Sequence, residues 1–313
     1  MFLKHANVLA LCSTYGNTTI DQATTNACRI LSYLERCDVP VYRGAARPLS
    51  SCTVWGNTAG FVHGDDAMGN TDRIPRTVTK TEEPETAPNA LIRLVNADPG
   101  EVTLVAIGPL TNLAIALNLD PQLVFKLKAL YIMGGSYNTG NISQYAEWNF
   151  QCDPLAADLV LNVGYSVDSV INLVTWDCCL ANGVHVTRYM EGLGLENGVT
   201  EQGGIDVETP VKEDDKEWSK SGKLMRTVAV TEPWCKRAAR RKGMFIFADQ
   251  LVALLVLCPG AGLKSERGTC DVILEGDKEG QTLVTWSNTQ GRVNIWTELD
   301  MERMVELYKA TIA

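Results

Sequence analysis

Short apolar runs alternate along the chain with segments whose apolar residues recur at helical spacing. The runs predict buried strands at Val8–Ser13, Val39–Tyr42, Val102–Ile107, Leu127–Met133 and Ser169–Val174. The helical spacing predicts helices at Ile20–Leu34, Ala90–Asn96, Leu113–Leu119 and Pro154–Val163. Strands that alternate with helices favour a parallel sheet covered on both faces. The pattern therefore predicts an α/β fold.

The second half of the chain has a weaker pattern before clear elements return. From about residue 181 to residue 243, two charge runs of opposite sign predict solvated helices and loops. Met244–Leu257 is a long apolar segment, and Asp271–Trp286 predicts an antiparallel pair that turns at Glu275–Asp277. Arg303–Ile312 predicts a final helix. Because we find no internal repeat or low-complexity linker, we expect a single domain over residues 1–313.

The charge balance makes two kinds of partner poor candidates. Lys and Arg number 28 and Asp and Glu number 37, which gives a formal net charge of −9. An acidic chain is a poor candidate for binding nucleic acid or an anionic membrane surface. No apolar run approaches the roughly 18 residues that a membrane span needs. We therefore expect neither nucleic acid nor a membrane as a partner.

The cysteines and the first residues bear on the compartment. The chain has 10 cysteines without a CxxC pair, and Cys178 and Cys179 are adjacent, which does not suit zinc. We interpret them as reduced, mostly buried thiols. The first apolar stretch is broken by His5 and Asn7, so it is too short for a secretory signal. These features predict a cytoplasmic protein.

Three predicted loops lie at the carboxyl ends of strands, where parallel sheets bind their ligands. These loops are Tyr15–Asn17, Gly108–Asn112 and Gly134–Asn149. In the third loop Glu147 and Asn149 are two residues apart, so on an extended loop they point to the same side. With Asn141 they would gather donors and acceptors around a polyol. Ordinary solvated loop residues are the alternative interpretation.

Two further ionisable residues each have more than one interpretation. Asp249 lies among apolar residues, where a carboxylate is costly to bury unless it is paired, protonated or bound to a metal. Three interpretations stay open: Asp249 caps the helix that begins at Gln250, it binds a metal, or it does both. His63 lies beside Asp65 and Asp66, whose spacing is not that of an EF-hand. A lone histidine is more often structural than catalytic.

Together, these segments resemble the inosine-uridine-preferring nucleoside hydrolase family, in the family's order and over nearly the whole chain. The matching stretches are Tyr15–Thr19, Val39–Leu49, Val62–Gly64, Ala106–Ala114, Ile132–Gly135, Gly140–Asn141, Ala146–Pro154, Ala248–Ala253 and Val293–Leu299. Each stretch alone is weak, and the set as a whole is specific.

The resemblance implies the nucleoside hydrolase fold, a Rossmann-like, mostly parallel sheet with helices on both faces and an active site at the strand ends. It implies a homo-oligomer that uses one Ca²⁺ to split the N-glycosidic bond of a ribonucleoside into ribose and base. Asp249 and the backbone carbonyl of Thr111 would bind Ca²⁺, Met133 would line the ribose pocket, and His63 would lie near the base. The residues that would hold ribose hydroxyls are Asn17, Asn141, Glu147 and Asn149.

The chain departs from the family pattern in two places. The family opens with a strand that ends in an Asp-rich motif, followed by a helix; this motif supplies most of the calcium carboxylates and the base that deprotonates water. The chain has no such motif, so we expect a truncated relative that lacks the first strand and helix. We also expect its calcium binding to be weakened or lost. The second departure is Ala248, where many relatives have a histidine that protonates the leaving base.

Two classes of function therefore stay open. The first is an enzyme, a nucleoside N-ribohydrolase, whose sequence here is either complete or an incomplete record of a longer chain. The second is a catalytically impaired relative that acts at most as a weak nucleoside- or ribose-binding protein. Base preference stays open too, because Trp148 and Trp176 either stack on a purine or belong to the core.

Overall fold

The computed structural model describes residues 6–54, 56–70, 74–76, 78–162, 171–185 and 243–312. Its strands are β1 (Leu11–Cys12), β2 (Val41–Arg43), β3 (Glu83–Thr86), β4 (Thr103–Ala106), β5 (Ala129–Met133), β6 (Ile171–Val174), β7 (Val184–His185), β8 (Met244–Phe245), β9 (Gly262–Val272), β10 (Thr282–Trp286) and β11 (Val293–Leu299). Its α-helices are α1 (Ile20–Tyr33), α2 (Gly60–His63), α3 (Ala87–Ala97), α4 (Thr111–Leu119), α5 (Trp148–Cys152), α6 (Pro154–Asn162), α7 (Trp176–Ala181), α8 (Asp249–Leu257) and α9 (Met301–Ile312). The two predicted charge runs lie outside the described residues. No helix in the described part is long and apolar enough to cross a membrane.

The central strands are mostly parallel, as predicted. A six-stranded sheet has the order β10-β9-β11-β6-β5-β4, in which β4, β5, β6 and β11 are parallel and β9 is antiparallel to both of its neighbours. A second sheet has the parallel order β1-β2-β3. A short antiparallel pair joins β7 and β8. The α/β class is therefore confirmed.

Alternate residues of β5 show that helices cover both faces of the larger sheet. Leu130 and Ile132 are fully buried in a core that contains residues of α3, α4 and α6. Tyr131 and Met133 pack into a second core, which contains residues of α8 and α9. Successive side chains of a strand point to opposite faces, so this alternation is what a strand covered on both sides requires.

Between residues 43 and 90 the described chain is mostly loop, with short elements that the apolar pattern does not predict. This range contains α2, β3 and the start of α3. The sequence of β3, Glu-Pro-Glu-Thr, has no apolar residue to signal a strand, and the strand forms through parallel pairing of Tyr42 with Glu83 and Arg43 with Thr86. Pro88 lies in the first turn of α3, where its missing N–H would have no intrahelical partner anyway.

Strand β9 is longer than its sequence predicts. The predicted antiparallel pair begins at Asp271, whereas the strand begins at Gly262 and pairs with both β10 and β11. Its first residues, Leu263 to Glu266, are mostly polar and exposed or half-buried. A strand with one open face needs no continuous apolar run, so an apolar-run criterion misses it.

One buried asparagine joins the two sheets. The Asn112 side-chain amide donates to the Ser13 backbone carbonyl (2.9 Å), and its oxygen accepts from the Ala45 backbone N–H (2.8 Å). A Cβ at Gly44 would meet both the Ser13 carbonyl and the Asn112 amide at 2.5 Å or less, so this close approach requires glycine. Strands β1 and β4 both lie at sheet edges, and in the described part of the chain no backbone ladder joins them. The expected absence of a first strand and helix stays a prediction.

We expect Asn112→Ala to lower the free energy of unfolding by about 2–4 kcal/mol, because it leaves one buried and one half-buried backbone group without partners. Urea unfolding followed by circular dichroism measures the change. Asn89→Ala, which removes an exposed asparagine from α3, is the matched control and should change stability by less than about 1 kcal/mol. Equal effects of the two substitutions would show that Asn112 does not join the sheets.

Candidate active site

A cleft lies where the parallel strands end. Asn17 follows β1, Ile107 follows β4, Met133 ends β5 and Trp176 begins α7 after β6; all four line one cavity. The other lining residues are Ala59, Phe61, Val62, His63, Asn141, Ile142, Glu147, Trp148, Asn149, Ile246, Ala248, Asp249 and Gln250. The cavity volume is about 160 Å³, whereas one water molecule needs roughly 10–15 Å³ by the same measure. A small organic molecule therefore has room to bind.

Glu147 is a buried carboxylate held by backbone groups. It occupies the cap position of α5, and its Oε2 accepts from the N–H of Gly135 (3.0 Å) and of Phe150 (3.3 Å). Desolvation by burial raises its pKa to about 7, backbone hydrogen bonds oppose the shift, and the charge of Asp249 adds to it. Glu147 is thus fixed in position.

Asp249 is the free carboxylate of the cavity. It is the first residue of α8, its side chain is exposed to the cavity, and no described residue donates a hydrogen bond to it. Desolvation by the surrounding protein nevertheless raises its pKa to about 7. Both observations fit a carboxylate on the wall of a deep cavity. The capping interpretation is wrong, because Ala248 occupies the cap position and no side chain caps the helix.

The asparagines are placed by hydrogen bonds of their side chains or backbone. The Asn149 amide donates to the Met133 backbone carbonyl (3.0 Å), and Asn141 Oδ1 accepts from the Trp148 backbone N–H (2.9 Å). The backbone carbonyl of Asn17 accepts from Ala59 N–H at 3.0 Å. These contacts leave amide groups facing the cavity beside the two carboxylates.

The structure brings most of the predicted site residues together. Asn17, His63, Met133, Asn141, Glu147, Asn149 and Asp249 all line the cavity. We predicted that Glu147 and Asn149 point to the same side of an extended loop. That prediction is wrong, because the two residues lie at the start of helix α5. Their roles toward a ligand stay predictions.

Thr111 is not among the residues that line the cavity. Its side chain is fully buried and donates to Asp153 Oδ2 (2.6 Å), and Tyr15 lies within hydrogen-bonding distance of the same hydroxyl (3.2 Å). Burial raises the pKa of Asp153, while its hydrogen bond from Thr111 opposes that shift. Thr111 therefore ties the loop after β1 to helix α6, and its role toward a metal stays a prediction.

Sequence reasoning missed the apolar wall of the cavity and one supporting acid. Phe61, Ile107 and Ile246 line the cavity, and the sequence assigned none of them a role, because only the three-dimensional structure brings them together. Asp177 accepts from three successive backbone N–H groups, those of residues 137 to 139, at 2.9–3.2 Å. The sequence shows only that Asp177 is an acid near the start of α7. It does not show which loop donates hydrogen bonds to that acid.

The described donors do not complete a calcium site. Calcium takes about six to eight oxygen ligands. No group of three or more His, Cys, Asp or Glu side chains that could hold a metal occurs among the described residues. Glu147 already accepts two backbone N–H groups, which leaves Asp249 as the free carboxylate. Oxygen donors suit a hard cation, but among the described residues only one carboxylate of the cavity is without a hydrogen-bond donor.

The cleft and the sheet define an α/β protein with a polar cavity at the ends of its parallel strands, the place where such sheets bind their ligands. The chain belongs to the inosine-uridine preferring nucleoside hydrolase family, whose model matches residues 1–306.

Individual relatives agree with this assignment. The chain is 37% identical over 170 residues to uridine nucleosidase 1 of Arabidopsis thaliana, covering 54% of this chain and 49% of that protein. It is 34% identical over 174 residues to the inosine-uridine preferring nucleoside hydrolase of Leishmania major, covering 54% of each. These matches span about half the length of the curated relatives.

Solved structures show the same fold over a longer range. A plant nucleoside hydrolase superposes with a TM-score of 0.78 at 28% identity, covering 98% of this chain and 90% of that one. A purine-preferring ribonucleoside hydrolase from Gardnerella vaginalis superposes with a TM-score of 0.79 and the same coverage. At 21% identity the second match shows the fold alone.

Proposed function

We propose that this chain is a nucleoside N-ribohydrolase, which hydrolyses the bond between ribose and base in a ribonucleoside. The supporting observation is one cavity that gathers two carboxylates and three asparagines beside an apolar wall. Polar groups suit the hydroxyls of ribose, and Phe61, Ile107 and Ile246 suit the flat, weakly polar faces of a base. The ribonucleoside thus binds with ribose toward Asp249 and its base toward the apolar wall.

The proposed reaction adds water across the bond from ribose C1′ to the base nitrogen. The water oxygen bonds to C1′, its proton passes to a carboxylate, and the base leaves with the electron pair of the broken bond. Positive charge develops on the sugar as the base departs, and a nearby carboxylate stabilises that charge more than the neutral ground state. Asp249 has a pKa of about 7, and no described residue donates a hydrogen bond to it, so it is the carboxylate suited to both tasks. Ala248 offers no proton to the leaving base.

The asparagines and Glu147 bind the ribose in this proposal. We expect Asn149→Ala to raise the dissociation constant of a ribonucleoside about tenfold, because it removes a hydrogen-bonding partner of the sugar. Isothermal titration calorimetry measures the change. Asn138→Ala is the matched control, because it alters an exposed side chain on a neighbouring loop and should leave the affinity unchanged. Equal affinity of Asn149→Ala and the unaltered chain would contradict the assignment.

Nucleoside hydrolases are typically metal-dependent. We propose that Ca²⁺ is the metal of this family site and that the described residues bind it only weakly, with Asp249 as the ligand. We expect removal of Ca²⁺ with a chelator to change nucleoside affinity by less than about twofold, because a shell of so few protein oxygens holds the ion poorly. A calorimetric titration with and without chelator measures this. A large loss of affinity in chelator would contradict weak binding.

A second candidate function is nucleoside or ribose binding without turnover. It is favoured by the shortage of free carboxylates, because no group of three or more metal-binding side chains occurs in the described part. Incubation with inosine, uridine and adenosine plus Ca²⁺ separates the two candidates when released reducing sugar and bound nucleoside are both measured. Sugar release above the enzyme-free blank supports the hydrolase. Binding without release supports the second candidate, and the absence of both contradicts each of them.

We further propose a cytoplasmic location and a homo-oligomeric state. Every cysteine in the described ranges is a free thiol, which fits a reducing compartment. Size-exclusion chromatography with light scattering tests the oligomeric state, and a mass equal to one chain would contradict it.

A further inference from the structure

The charge of the cavity comes from carboxylates. Glu147 and Asp249 both line it; burial raises the pKa of Glu147, and the charge of Asp249 adds to that rise, so the two groups act on each other. Among the described lining residues there is no lysine or arginine, and His63 is the single one that can become cationic. A ligand with a positive charge is therefore attracted, because it offsets the mutual repulsion of the two carboxylates.

Three aromatic side chains line the same cavity. Phe61, Trp148 and Trp176 belong to α2, α5 and α7, so they reach the cavity from three separate elements. The face of an aromatic ring carries partial negative charge, and it attracts a cation more strongly where water is excluded. Aromatic rings beside carboxylates thus favour an organic cation over a neutral molecule of the same shape.

Trp148 also has a donor, its indole Nε1–H, which has no acceptor among the described residues. This atom is buried and lies 3.9 Å from the position that a Cβ would take at Gly16, in the loop after β1. Because water in the cavity does not reach the donor, it does not offset the negative charge that a ligand meets there.

We propose that this cavity takes ribonucleosides whose base carries a positive charge, such as N-ribosylated pyridinium rings, and hydrolyses them. The inference rests on the proposed function, because it places ribose toward Asp249 and the base toward the apolar wall. In such a nucleoside the charged ring nitrogen is bonded to C1′ of the ribose. The positive charge therefore lies where sugar and base join, beside the carboxylates, and the flat ring still suits the apolar and aromatic wall.

A cationic base also removes one requirement from the reaction. The water oxygen bonds to C1′, the bond from C1′ to the ring nitrogen breaks, and its electron pair goes to that nitrogen, which becomes neutral. The water proton passes to Asp249, so the products are ribose, the free base and one proton. A neutral base leaves as an anion unless an acid protonates it, whereas a cationic base needs no proton. The side chain of Ala248, which has no proton to give, is then no disadvantage.

The first experiment measures whether the cavity distinguishes charge alone. Two C-ribosides are compared, one with an N-methylpyridinium ring and one with the isosteric tolyl ring, because their carbon–carbon bonds to ribose resist hydrolysis. Isothermal titration calorimetry gives both dissociation constants, in chelator so that no metal ion offsets the charge of Asp249. In the unaltered chain we expect the cation to bind about tenfold more tightly. In Asp249→Asn the ratio should fall to about threefold or less, whereas Asp98→Asn, an exposed acid outside the cavity, should keep it.

The second experiment measures hydrolysis of N-ribosylpyridinium and of uridine, each corrected for its enzyme-free blank. Liquid chromatography quantifies the released pyridine and uracil. We expect kcat/KM to be at least about tenfold higher for N-ribosylpyridinium, because the cation is bound more tightly and its base leaves without a proton.

The outcomes separate this inference from the proposed function. Equal dissociation constants for the two C-ribosides in the unaltered chain, or a ratio that Asp249→Asn leaves unchanged, overturn the inference while the cavity stays a riboside site. Hydrolysis of uridine without hydrolysis of N-ribosylpyridinium also overturns the inference alone. No binding of either C-riboside, or no hydrolysis of either nucleoside, overturns the inference and the proposed function together.

Discussion

Asp249→Asn is expected to lower the rate of ribonucleoside hydrolysis by about a thousandfold or more. Asparagine has nearly the same shape but cannot become ionised, so it neither accepts the proton of water nor stabilises positive charge on the sugar. The fold should persist, because Asp249 makes no capping bond and its charge is poorly solvated. Release of reducing sugar from uridine and inosine measures the effect.

The control for this prediction is Asp98→Asn, which neutralises an exposed acid after α3. It should leave the rate unchanged, because the lost charge lies outside the cavity. The thermal midpoint of both variants checks that each is folded. Activity of Asp249→Asn within about threefold of the unaltered chain would refute the assignment of the reacting carboxylate.

Glu147→Gln is expected to stabilise the protein at alkaline pH by about 3 kcal/mol, and to leave stability unchanged at acid pH. The pKa of Glu147 rises from its ordinary value of 4.5 to about 7 on folding. Between these two values the folded chain binds more protons than the unfolded chain, so stability falls as the pH rises. Above about pH 7 the full penalty of a buried charge is present. Glutamine removes it and keeps an oxygen for the backbone N–H groups.

Urea unfolding over a range of pH measures this difference. The two proteins should be equally stable below about pH 4, and their curves should separate as the pH approaches 7. Glu101→Gln, an exposed position, is the control and should give no pH-dependent difference. A destabilised Glu147→Gln at alkaline pH would contradict the account, since it would mean that the ionised carboxylate stabilises the fold.

Sequence patterns predicted the elements whose stability depends on apolar burial. Helix α1 was predicted at Ile20–Leu34 and lies at Ile20–Tyr33, where buried Ile20 and Leu31 form part of one face. Strands β3 and β9 were missed or shortened because pairing with neighbours, not apolar content, makes them strands. Residues distant in sequence supply that pairing, so a local pattern does not contain it. The expectation of a single domain stays a prediction.

The candidate site was predictable where polar residues follow buried strands. Asn17 and Asn149 were identified from such loops and from the family resemblance, and both line the cavity. The pKa of Glu147 depends on how far burial raises it and how far backbone hydrogen bonds lower it. The sequence gives neither the burial nor these hydrogen bonds.

The central claim is that the polar end of the cleft holds a ribose, and a crystal structure of the chain with bound ribose tests it most directly. Sugar hydroxyls are expected at hydrogen-bonding distances, about 3 Å, from Asn17, Asn149 and Asp249. Ribose bound away from these three residues, at a concentration that saturates the protein in solution, would contradict it.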